Sequence, residues 1–80
     1  MRAYFLYDGY RFGDRLLEGV MFRCYLNEDQ TEVVDVAIDP KSDGKYWEGL
    51  NQAKWLEMCK ECAAEEYSEE PEEFDLRYES

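Results

Sequence analysis

Two short runs of alternating residues constrain this chain more than any other feature. From Val20, the side chains of Val20, Phe22, Cys24 and Leu26 fall on one side of an extended backbone, and those of Met21, Arg23 and Tyr25 on the other. In the second run Val34, Val36 and Ile38 point one way while Asp35, Ala37 and Asp39 point the other. A period of two is the mark of a half-buried strand. The polar residues Asn27-Glu28-Asp29-Gln30 lie between the runs and are of hairpin length. The two runs therefore predict an antiparallel hairpin with one buried face.

The remaining elements are read around that hairpin. Arg2 to Tyr7 is aromatic-rich and predicts a strand, followed by the turn formers Asp8-Gly9 and Gly13-Asp14. Asp39-Pro40 ends the second alternating run, because proline cannot donate to a ladder. Beyond it, Trp47, Leu50, Trp55, Met58, Cys59, Cys62 and Ala63 recur at helical spacing. Ser42 or Asp43 supplies a cap for a helix from near Gly44 to about Tyr67. Gly49 weakens that start, so a shorter helix after Asn51, with Tyr46 to Gly49 extended, is the alternative. Pro71 disfavours helical geometry in the residue before it. Phe74, Leu76 and Tyr78 then alternate with Asp75, Arg77 and Glu79, which predicts a short final strand. The order β-β-β-α-β predicts an α+β fold: a small, mostly antiparallel sheet with one long helix on a face. No repeat or Gly/Ser linker divides residues 1–80, so they are read as a single small acidic domain.

Charge narrows function further than it narrows fold. The net charge is −11, and it is lopsided: residues 61–80 hold nine acids and a single base, Arg77. A direct nucleic-acid binder needs a basic face, and an anionic membrane surface would repel this chain. No stretch approaches the about 20 apolar residues needed to span a bilayer. The N-terminus lacks the apolar run of a signal peptide, and three cysteines are an odd number for a disulfide framework. Reduced thiols in a cytoplasm are the expectation.

Catalysis finds little to work with. The chain has no His, so Ser42, Ser68 and Ser80 have no such base to activate them. Cys59-Lys60-Glu61-Cys62 invites redox or zinc chemistry, but it falls well along the predicted helix, close before Glu65 and Glu66. Both the helix dipole and those carboxylates oppose a thiolate there. As half of a zinc site the pair has only Cys24 as an obvious third ligand, so all three cysteines read as core thiols. Asp39 to Gly44 resembles a calcium loop faintly, but Lys41 occupies a ligand position and Leu50 stands where a bidentate Glu belongs. Gly9-Tyr10-Arg11-Phe12-Gly13 lacks the Lys-Ser/Thr that completes a phosphate cradle. No cofactor, metal or catalytic residue is assigned, and the protein is expected not to be an enzyme.

The acidic stretch carries the functional expectation. Glu61, Glu65, Glu66, Glu69, Glu70, Glu72 and Glu73 fall within 13 residues. On a continuous helix they would present one charge per about 2.8 Å. Duplex DNA presents one per about 1.7 Å of axis and a single strand one per about 3.4 Å. In size, acidity and hairpin-plus-helix order, the chain resembles the small bacteriophage counter-defence proteins, anti-CRISPR proteins and DNA mimics among them. The resemblance implies a cytoplasmic inhibitor, in a bacterial host cell if phage-encoded, that occupies the basic groove of a nucleic-acid-handling protein or nucleoprotein complex. Glu61, Glu65, Glu66, Glu69, Glu70, Glu72, Glu73 and Asp75 would dock there, with Tyr67 and Tyr78 as exposed aromatic anchors. The alternatives are an immunity or antitoxin protein that neutralises a basic toxin such as a nuclease, an enzyme or metal module using Cys24, Cys59, Cys62 and the carboxylates, and a scaffold whose acidity serves solubility.

Overall fold

The computed structural model describes residues 1–9, 19–42 and 51–79. Four strands form one sheet: β1 (Arg2–Asp8), β2 (Met21–Leu26), β3 (Val33–Ile38) and β4 (Arg77–Glu79), in the order β3-β2-β1-β4, with every neighbouring pair antiparallel. Among the described residues, the helix α1 (Gln52–Glu69) and a 3-10 turn at Pro71–Glu73 lie between β3 and β4. The predicted α+β order is present.

The sheet buries the face that the alternation assigned to the core. Ala3, Phe5 and Tyr7 of β1 join Val20, Phe22, Cys24 and Leu26 against Cys59, Ala63 and Tyr67 of α1. The helix residues recur every four positions, so they form one stripe along it. Burial of such a stripe supplies most of the stability of a helix this short. The register differs from strict alternation at one place. Asp35 pairs with Tyr25, but Val33 rather than Val34 pairs with Leu26. The extra residue is a β-bulge: it turns Val33 into the core and leaves Val34 44% exposed. The connection before it is longer than expected and is held by Asn27, whose Oδ1 accepts from the Thr31 and Glu32 amides. Gln30 closes it in the left-handed region at φ 59°.

Helix α1 begins at the later of the two expected starts. Asn51 caps it, its side chain accepting from the Lys54 amide at 3.2 Å. Ser42 is not a cap for α1; its hydroxyl accepts from the Met21 amide and donates to the Met21 carbonyl, fastening the end of β3 to β2. The expectations for Tyr10 to Gly13, Asp43 to Gly49, Trp47 and Leu50 lie outside the described residues. Strand β4 is shorter than the alternation suggested, because Phe74 and Leu76 pack against the core before pairing begins at Arg77.

Candidate functional site: the acidic end

The acidic stretch occupies two elements rather than one rod. Helix α1 ends at Glu69, Glu70 leaves helical geometry at φ −138°, and Pro71 opens the 3-10 turn. Proline lacks the amide that would continue the helix and clashes with the turn before it, which explains the break. Glu61, Glu65 and Glu69 stand four residues apart on the helix, about 6 Å per step. Glu70, Glu72, Glu73 and Asp75 continue around the turn. All seven are exposed, while Glu66 is half-buried.

Local physics does not favour carboxylates at this position. The C-terminal end of a helix carries partial negative charge, and the last turn of α1 contains no basic residue. A carboxylate there is destabilising by about 0.3–1 kcal/mol at low salt. Ion pairs between described residues join Arg2 to Asp35 and Arg23 to Asp39 and Glu79. None of these cations reaches Glu61, Glu65, Glu69, Glu70, Glu72, Glu73 or Asp75. Crowding is most severe at the turn: the Glu70 carboxyl is hydrogen-bonded to Glu73 and repelled by its charge, which pushes the Glu70 pKa up. Glu66, Glu69, Glu70 and Glu73 ring a hollow of about 240 Å³ beside Phe74.

The two aromatic residues expected as anchors part company. Tyr67 is in the core: it is 6% exposed, stacks on Phe5 at 5.4 Å between ring centres, and donates its hydroxyl to the Gln30 carbonyl at 2.6 Å. It continues the Cys59–Ala63 stripe, and that spacing was the signal for burial. Tyr78 is 56% exposed, as expected, but it lines a separate hollow with Met1, Arg2, Leu26 and Val34, and no acid from 61–75 borders that hollow.

Glu79, outside the expected docking set, belongs to the sheet. Its carboxylate accepts from the Tyr25 hydroxyl at 2.6 Å and from Arg23 at 2.8 Å, and these contacts hold its pKa low. Arg23 lies over the Tyr4 ring at 4.8 Å and Arg2 over the Tyr25 ring at 4.1 Å. Burial raises the Asp39 pKa, but the Lys41 amide and Arg23 outweigh it and hold the group low. This network covers the sheet face opposite α1, and sequence reading missed it. Its signal was the polar half of the alternating runs, Arg23 and Tyr25 set against Asp35 and Asp39.

The cysteines divide two to one. Cys24 and Cys59 are buried and free, while Cys62 is exposed rather than in the core. The contact with Cys24, then burial, pushes the Cys59 thiol up; burial, then Glu66, Glu65 and Glu61, does the same for Cys62. Among the described residues, no group of three or more Cys, Asp and Glu side chains is arranged to hold a metal ion. No helix of the described residues is long and apolar enough to cross a membrane. The chain matches no protein-family model, no curated protein and no solved structure.

Proposed function

We propose that this is a non-catalytic interaction protein that presents its acidic end to the basic, nucleic-acid-binding groove of a protein partner, as anti-CRISPR proteins and DNA mimics do. One observation carries the reading. Glu61, Glu65, Glu69, Glu70, Glu72, Glu73 and Asp75 are exposed and meet no described cation, and those from Glu69 to Glu73 crowd the helix end where negative charge is least favourable. A basic groove would relieve that repulsion on binding. Long-range attraction would speed encounter, and the affinity would fall with salt.

The test uses bacterial proteins retained on immobilised duplex DNA. Added protein should release at least one of them at low ionic strength and progressively less as salt rises. A variant carrying Glu69→Gln, Glu70→Gln, Glu72→Gln, Glu73→Gln and Asp75→Asn should release none. Equal release by that variant would refute the proposal.

A further inference from the structure

The sheet edge beside the acidic end has a gap. The Gly9 amide donates to the Val20 carbonyl, which fixes the alternation along β1. Main-chain groups of odd-numbered residues therefore turn toward β2, and those of even-numbered residues turn toward β4. Strand β4 serves Arg2 and Tyr4, but its ladder stops at the Tyr4–Arg77 pair. Leu6 is the next residue to face that side, and no described strand pairs with it there.

The gap cannot close by lengthening β4. Phe74 lies 4.4 Å from Phe5 and 5.8 Å from Tyr67, ring centre to ring centre, and Leu76 packs against the same core. These contacts hold the chain before Arg77 away from the sheet edge. What remains is a cleft of about 360 Å³ whose lining includes Leu6, Asp8, Glu73, Phe74, Asp75 and Arg77. Among the described lining residues, Glu73 and Asp75 meet no described cation, so the cleft favours a cationic guest. An open strand edge is a template for another chain, and an extended peptide that joins such an edge draws affinity from main-chain bonds and selectivity from its side chains.

We propose that the open edge of β1 at Leu6 receives an extended, basic segment of the partner protein as an added strand, its main chain bonded to Leu6 and its Lys or Arg side chains set against Glu73 and Asp75. The proposal rests on the reading of the acidic end as the surface that meets a basic partner, and it adds where and in what conformation the partner is held.

The test is amide hydrogen exchange on the full chain with a capped Lys-Val-Lys-Val-Lys pentapeptide as probe. The Leu6 amide should gain at least tenfold protection at saturating peptide. Leu6→Pro removes the outward-facing donor, at a position where a strand tolerates proline, and leaves the β1–β2 bonds in place; it should weaken peptide binding at least tenfold, whereas Leu6→Ala, which alters the side chain and keeps the donor, should weaken it less. Glu73→Gln with Asp75→Asn should weaken it severalfold and flatten its salt dependence. If Leu6→Pro fails to fold, the exchange result on the unaltered chain decides alone. Salt-dependent binding with unchanged Leu6 exchange would overturn strand addition while leaving the acidic-end reading in place. Leu6 protection that rises with protein concentration without peptide would assign the edge to a second copy and overturn the proposal. No peptide binding would overturn it as well, whereas the acidic-end reading stands or falls separately with the DNA-release assay.

Discussion

Replacing Tyr67 in two steps separates a core residue from a surface anchor. Its ring is 6% exposed and packed on Phe5, with Phe74 at 5.8 Å. Truncating such a ring to alanine destabilises by about 3–5 kcal/mol, since both transfer free energy and a cavity are involved. A chain of 80 residues has total stability of about 4–12 kcal/mol, so Tyr67→Ala leaves a substantial unfolded population. Tyr67→Phe keeps the ring and removes only the bond to the Gln30 carbonyl, a loss of about 0.5–1.5 kcal/mol. At about 4–8 °C per kcal/mol for a domain this size, its Tm falls by roughly 2–12 °C. Urea unfolding followed by circular dichroism should show the midpoint falling at unchanged slope. Partner release from DNA by folded Tyr67→Phe should equal that of the unaltered protein. A phenylalanine variant of full stability that loses partner binding would refute the core assignment.

Stability should also respond to pH in two opposite ways. Glu70 has a raised pKa in the folded state, so its favourable contribution is present at lower pH and is lost as pH rises through that value; Asp39 and Glu79 have lowered pKa values, so theirs is present at higher pH and is lost as pH falls through them. Tm should therefore climb as pH falls from 7 toward about 5 and drop below about 4, and a monotonic profile would contradict the assignment. A thiol reagent should modify one cysteine per native chain, slowly, at Cys62, and reach Cys24 and Cys59 only on unfolding; mass spectrometry of the labelled protein reads this directly. The charge-silenced variant should gain several degrees in Tm at low salt while losing its partner, and calorimetry across an ionic-strength series would show the gain shrinking as salt rises.

The pattern of the sequence exposed the strands more clearly than their ends. Val20 to Leu26 alternates through the whole of β2, and there every side chain took the face that period two assigned it. Alternation alone placed Val34 in the core, because a bulge adds one residue without leaving a compositional mark; Asn27 and its bonds to Thr31 and Glu32 set the longer connection instead. The helix break was legible at Pro71. The fate of Tyr67 was legible too, as the third member of a four-residue repeat, but its type suggested an interface and outweighed its spacing. The docking set read from the sequence stops at Asp75, but the partners of Glu79 were not legible locally, since the Arg23 and Tyr25 that claim it lie 56 and 54 residues away in the chain.

Position, rather than number, distinguishes the acidic end from an acidity that merely keeps the protein dissolved. On the open face of the sheet, Asp35 meets Arg2 while Asp39 and Glu79 share Arg23, and both arginines also lie over tyrosine rings. From the second half of α1 to Asp75, seven exposed carboxylates meet no described cation, and four of them, Glu69, Glu70, Glu72 and Glu73, cluster at the helix end. Solubility needs net charge and is indifferent to where that charge sits; it gives no reason to crowd carboxylates at the negative pole of a helix. Repulsion and the helix dipole both act against those charges, so silencing them should move stability and binding in opposite directions. A solubility role requires the two to be unlinked, with binding intact in the silenced variant. The cleft at Leu6 sharpens the contrast, because a strand edge that no described strand serves shares one lining with Glu73 and Asp75, which meet no described cation, and a basic extended chain would satisfy both.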